Sequence, residues 1–251
     1  MAVELRVAGL TSLPEVRPGD DLARLIFDAA EREGVGLRDG DVVSVTQKVV
    51  SKAEGRLVDL REVEPSDFAR QVAAQAEKDP RVVEVVLRET KRVVRMDKGV
   101  LVVETHGGFV CANAGVDNSN IPGSDIVSLL PLDPDASADR LRAAFRVLAG
   151  VETAVIITDS FGRPWREGTT EIAIGVAGML PVESYRGRAD PFGNLLRTTE
   201  IAVADQLAAA AGAVIEKLSG VPVVILRGAS YPAGEGSGKA LIRPPDRDMF
   251  R

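Results

Sequence analysis

Two aspartates stand in matched surroundings. Val110 to Asn120, VCANAGVDNSN, and Ile156 to Arg166, IITDSFGRPWR, are each a short apolar run that breaks into small and polar residues around Asp117 and Asp159. Strand-then-loop segments of this kind deliver oxygen ligands into a cleft from a rigid base. Asn113, Asn118, Asn120, Thr158 and Ser160 flank the two carboxylates. Such donors suit a hard divalent cation that keeps waters and bridges phosphates. Arg163 and Arg166 are then expected to face the same anion. The pattern implies a metal-assisted phosphate site. A further segment, TQKVVSKAEGRLV (46–58), places Thr46, Gln47, Lys48, Ser51 and Lys52 directly after an apolar strand. The two lysines can hold phosphates as point charges. The alternative is an exposed hairpin with solvated lysines, turned back at Glu54-Gly55.

Composition narrows the setting. With 251 residues the chain can be one large domain or two lobes sharing a core, and residues 1–251 are taken as a single catalytic domain. A net charge of −6 argues against a general nucleic-acid surface, so a phosphate ligand must be met by a local basic pocket. No apolar run approaches the roughly 18 residues that would cross a bilayer. The start, MAVELRVAGL, lacks the basic, apolar and cleavage regions of a secretion signal. The expected location is the cytoplasm, with no membrane partner. One cysteine, Cys111, excludes an intrachain disulfide and a cysteine-cluster metal site.

The elements that must carry the candidate residues follow from periodicity and punctuation. Residues 3–8 read as a strand. Asp20 or Asp21 caps a helix through Arg32, with Leu22, Leu25, Ile26, Ala29 and Ala30 on one face. Val42 to Val45 is a strand entered from the Asp39-Gly40 turn. Pro65 to Lys78 is helical, with Ser66 as its cap and Phe68, Val72 and Ala76 inward. Asp79-Pro80 starts the next helix, through about Glu89. Val93-Val94 and Val100 to Val103 form a hairpin around Asp97-Lys98-Gly99. Residues 121–134 are irregular, with a short strand at Leu129 to Leu132. Ala136 to Leu148 is an amphipathic helix, and Ala154 to Ile157 a buried strand that ends at Asp159. Residues 167–198 hold five glycines and read as loop. A helix from Glu200 to Lys217 and a strand from Val223 to Leu226 follow. These elements do not alternate as βαβ units, so the expected class is α+β with mixed sheets. The chain contains neither GxxxxGK[ST] nor a strand–GxGxxG–helix unit, so a nucleotide here is bound without a P-loop or a Rossmann turn.

Taken together, LPEVRPGDDL (13–22), DGDVVSVTQKVVSKAEGR (39–56), CANAGVDNSN (111–120), LLPLDPDASADRLR (129–142), ITDSFGRPWREG (157–168), AIGVAGM (173–179), DPFGNLL (190–196), VADQLAAAA (203–211) and GVPVVILRG (220–228) make the chain resemble the coenzyme F420-0:L-glutamate ligases, also called F420:gamma-glutamyl ligases. The resemblance runs in order along nearly the whole chain. It implies a GTP-dependent ligase that adds L-glutamate to the terminal carboxylate of F420-0 and can repeat this on the glutamyl tail. It further implies a fold largely the family's own, a homodimer, and Mg²⁺ or Mn²⁺ at the site. Asp117 and Asp159 match the family's metal-binding aspartates, with Ser160 where the family usually has Thr. Asn120, Gln47, Lys48 and Lys52 match nucleotide-contacting positions, as do Leu13, Pro14 and Glu15. Glu216, where relatives often carry the glycine of a Gly-Lys pair, is either a further metal ligand or a side chain that crowds the phosphates.

Several residues invite chemistry without requiring it. His106, beside Gly107-Gly108, reads as a loop residue rather than a base, since nothing orients the ring. Cys111 reads as a small buried hydrophobe. Trp165 can stack on a ring or pack. Asp133 and Asp135 read as cap and turn residues. Two other functions use the same residues: a metal-dependent phosphohydrolase and a non-catalytic nucleotide-binding module.

Overall fold

The structure, a computed structural model, describes residues 3–97, 99–121, 123–215 and 218–248. In chain order the elements are β1 (Arg6–Leu10), α1 (Leu22–Arg32), β2 (Val42–Thr46), α2 (Gln47–Ala53), β3 (Leu57–Asp59), α3 (Asp67–Ala76), α4 (Pro80–Arg88), β4 (Thr90–Asp97), β5 (Val100–Thr105), β6 (Val110–Ala112), β7 (Ile126–Ser128), α5 (Pro134–Ala149), β8 (Ala154–Arg163), β9 (Arg166–Ala177), β10 (Glu183–Ser184), β11 (Glu200–Ile201), α6 (Val203–Gly212) and β12 (Val223–Arg227). The class is α+β, as expected.

A five-stranded sheet in the order β1-β12-β2-β8-β9 forms the centre. Strands β2 and β8 run parallel, with Thr46 opposite Thr158, and the other pairs are antiparallel. The central strands are apolar on both faces because both faces are covered. Val43, Val45, Val155, Ile157, Val223 and Ile225 pack with α1 and α5, whereas Val42, Ile156, Val224 and Leu226 pack with α6. Alternate residues of one strand thus serve opposite layers. A second region pairs β4, β5 and β6 in an antiparallel sheet. Leu101 and Val103 of β5 pack there on Val72 and Ala73 of α3 and on Val83 and Val86 of α4. Between the regions, β3 pairs with β7.

The capping logic holds. Asp21 accepts from the Arg24 amide, Ser66 from Ala69, Asp79 from Arg81 and Asp133 from Ala136. Four expectations are corrected. Residues 166–177, expected within a loop, form the twelve-residue strand β9. Its Gly175 is a packing glycine: a Cβ there would lie 2.4 Å from the carbonyl carbon of Pro134, so α5 docks on β9 only because no side chain intervenes. Phe68 of α3 is 53% exposed, and the buried face is Ala69, Val72 and Ala73. The short strand lies at Ile126–Ser128, one turn before Leu129 to Leu132, where it can pair with β3. The long helix begins at Val203 and ends at Gly212, because Glu200 and Ile201 pair with β10 instead. Glu216 and Lys217 lie outside the described residues, as does Lys98.

Candidate functional site

The parallel strands β2 and β8 end side by side, and a cavity of about 1810 Å³ opens there. Leu13, Pro14, Glu15, Gln47, Lys48, Lys52, Asp117, Asn120, Asp159 and Ser160 all line it. They come from the loop after β1, from α2, from the loop after β6 and from β8. Arg163 joins them on the wall, and Arg166, Asn113 and Asn118 do not. The segment after β2 is therefore a helix that feeds the cavity, and the exposed-hairpin alternative does not hold. Gln47 is 3% and Lys52 6% exposed.

Lys48 and Asp117 form the best-defined contact. The Lys48 ammonium donates to Asp117 Oδ2 at 2.6 Å, to the Ser119 carbonyl at 2.6 Å and to Ser119 Oγ at 2.9 Å. The Ser119 amide and hydroxyl donate to the same carboxylate at 2.8 and 2.7 Å. This is a turn in which an aspartate captures the backbone two residues on. Paired backbone bonds between Asp117 and Ser128 anchor its other side. Burial alone would raise the Asp117 carboxyl, but the bonds from Lys48 and Ser119 outweigh it and hold the group at about 2.

Asp159 is the opposite case. It sits inside β8, which continues to Arg163 instead of ending at Asp159. Burial pushes its carboxyl up to about 7; a bond from the Ser160 amide opposes this, and the charges of Glu171 and Asp117 add to it. Its neighbour Ser160 donates its hydroxyl to Glu171 Oε1 across the β8–β9 pair. Farther along the cavity, Lys52 donates to Glu15 Oε1 at 2.6 Å. Thr158 Oγ1 and Arg163 Nε, both on the cavity wall, are buried without a hydrogen-bond partner. Among the described residues, no group of three or more His, Cys, Asp or Glu side chains is gathered to hold a metal ion.

Of three further candidates, Cys111 and Trp165 line the cavity and His106 does not. Cys111 is 9% exposed, and burial, aided by the Asp159 charge, pushes its thiol up to about 12. His106 is an exposed loop residue whose Nε2 meets the Arg88 carbonyl at 3.1 Å. Trp165 is 82% exposed at the β8–β9 turn.

Comparison with known proteins gives the chain its family. The family described as F420-0:gamma-glutamyl ligase matches residues 11–228. This chain belongs to that family. Its relatives include a coenzyme F420:L-glutamate ligase of Methanothermobacter thermautotrophicus, 43% identical over 98% of this chain and 99% of the relative. The protein of the same name from Methanopyrus kandleri is 46% identical over 98% of each chain, and that from Methanocaldococcus jannaschii 45% identical over 86% of each. The matched span takes in every residue that lines the cavity.

Two residues of the site escaped sequence reasoning. Ser119 was overlooked although Asp-x-Ser is itself a turn signal. Glu171 was hidden because its segment was taken for loop. A hairpin register counted back from the Arg163–Arg166 turn sets Thr169 opposite Ser160; the register shift between Gly162 and Arg163, which sequence does not announce, brings Glu171 there instead.

Proposed function

We propose that this protein is a GTP-dependent ligase joining the α-amine of L-glutamate to the terminal carboxylate of coenzyme F420-0, with the capacity to extend the γ-glutamyl tail. The observation that carries the reading is the convergence of ten candidate residues from four separate segments on one cavity. Family membership and the relatives' names supply the substrates. A carboxylate is a poor acyl donor. In the proposed route its oxygen attacks the γ-phosphorus of GTP, GDP leaves, and an acyl phosphate forms. The free amine of glutamate then attacks the acyl carbon and phosphate departs, leaving the amide. Catalysis of this kind is mainly positioning and charge neutralisation.

The chain's own residues suit those tasks. Lys48 and Lys52 bring ammonium groups to the cavity, and Arg163 Nε and Thr158 Oγ1 are buried donor atoms without a partner, while Arg163 Nη2 donates to the Glu167 and Gly168 carbonyls. Asp117, held ionised by Lys48, keeps its loop in place. The donor set also fits Mg²⁺ or Mn²⁺. Asp159 is raised mainly by burial, with the like charges of Glu171 and Asp117 adding to it against Lys48, and Asp117 and Ser160 add hard oxygens to the same wall. With no cage of protein ligands among the described residues, such a cation would keep waters and take oxygens from phosphate. Bound there, it would neutralise charge on the transferring phosphoryl group. A homodimer acting in the cytoplasm completes the proposal; no helix among the described residues is long and apolar enough to cross a membrane.

The test is mass spectrometry of F420-0 incubated with L-glutamate, GTP and Mn²⁺, with and without EDTA. A product one glutamyl unit heavier, lost with EDTA, is expected. Phosphate release that needs neither F420-0 nor glutamate would replace the ligase by a phosphohydrolase. GTP binding with no turnover would leave only a binding module.

A further inference from the structure

We propose that Glu171 is a positioning residue for Ser160, fixing the serine hydroxyl so that its lone pairs face the cavity as a ligand for a divalent cation. The inference rests on the reading of Asp117, Asp159 and Ser160 as cation ligands. Glu171 lies in β9 directly opposite Ser160 in β8, and the Ser160 hydroxyl donates to its Oε1. A hydroxyl has one proton. Once that proton is committed to Glu171, Ser160 can offer its surroundings only lone pairs, which is what a hard cation requires. An uncommitted serine rotor would have to be ordered by the cation itself. Partners of this kind, one shell behind a ligand, orient it and raise affinity.

The packing around Glu171 supports a placed side chain. Ser160 is exposed to the cavity while Glu171 is 9% exposed, so the carboxylate is the covered member of the pair. Its stem lies under the last residue of α6. A Cβ added at Gly212 would fall 2.9 Å from Glu171 Cγ and 3.3 Å from its Cβ. The helix approaches β9 only because residue 212 has no side chain, and that closeness confines Glu171. Glu171 also lines the cavity, but among the described residues it is not one of three acidic side chains gathered around a common point, which favours action through Ser160 over direct ligation.

The experiment titrates Mn²⁺ into the full chain with GDP present and reads free ion by electron paramagnetic resonance. Wild type, Ser160→Ala, Glu171→Gln, Glu171→Ala, Gly212→Ala and the Ser160→Ala/Glu171→Ala double variant are compared, with circular dichroism reporting the fold. Glutamine still offers an oxygen to the hydroxyl. Glu171→Gln is therefore expected to keep Mn²⁺ affinity within about threefold. Glu171→Ala and Gly212→Ala are expected to weaken it by roughly tenfold, to the level of Ser160→Ala. In the Ser160→Ala background, Glu171→Ala should add nothing. Glu171→Gln as weak as Glu171→Ala, or additive losses in the double variant, would mean that the charge acts directly and overturn the proposal. Unchanged affinity in Glu171→Ala would do the same. Absence of Mn²⁺ binding in wild type would instead remove the cation reading on which the inference rests.

Discussion

Lys48→Met is the substitution whose consequences can be worked out furthest. It keeps much of the aliphatic stem and removes an ammonium that makes three hydrogen bonds at 2.6, 2.6 and 2.9 Å. In the wild type the Asp117 carboxyl lies at about 2 against an ordinary 3.8. At about 1.4 kcal/mol per pH unit, that depression corresponds to at most ~2.5 kcal/mol of coupling. The Asp117 side chain is 36% exposed, so solvent screening reduces the expected loss to roughly 1 kcal/mol. The sign with pH follows from the depressed value. Stability from Asp117 is fully present above pH 4 and is lost as pH falls toward 2. Urea unfolding of both proteins should thus show a gap of roughly 1 kcal/mol at pH 7 that narrows below about pH 4 and closes as pH falls through about 2. Ligation should fall by about two orders of magnitude, as for removal of one preorganised donor from a transferring oxyanion. A gap that stays constant or widens in acid would refute the electrostatic account, and full activity would remove Lys48 from the site.

Other consequences can be checked in parallel. Asp117→Ala and Asp159→Ala should each abolish ligation in the mass assay while leaving a cooperative thermal transition; two active variants would dismantle the site. Arg227 holds Asp41, 1% exposed, through bonds of 2.8 and 2.7 Å. Arg227→Met strands that carboxylate and should cost about 3–5 kcal/mol in denaturant unfolding, with much of the loss recovered in Asp41→Asn/Arg227→Met. With its thiol at about 12, Cys111 carries only about one thiolate in 10⁴ at pH 8. Iodoacetamide should label it slowly in buffer and quickly in urea, and equal rates would contradict the burial.

Much of this molecule is written locally. Asp21, Ser66 and Asp79-Pro80 announce their helices because a cap acts within three residues. Asp117 and Asp159 could be singled out because each interrupts an apolar run. What stayed hidden depends on distant partners. Gly175 reads as a loop residue until Pro134 is known to lie against it. Helix α2 is seven residues long, too short for an amphipathic period to declare itself. Phe68 fits the inward face of a helix by type, yet its neighbours leave it in solvent. The Ser160–Glu171 contact needed the register of a hairpin that glycines had disguised.

The pairing of both cavity lysines has a consequence for the order in which ligands arrive. Lys48 already faces Asp117 and Lys52 already faces Glu15, each at 2.6 Å. A bare anion entering the cavity meets ammonium groups whose charge is balanced, and must displace a carboxylate to reach either one. On the proposed function, uptake of the GTP polyphosphate at these lysines is an ion exchange. The 55% exposed Glu15 is the partner freest to swing away, whereas the loop of Asp117 is tied at Ser119 and Ser128. An anion that arrives with its own countercharge meets no such competition. At these two lysines, then, a stray phosphate has to compete with a resident carboxylate.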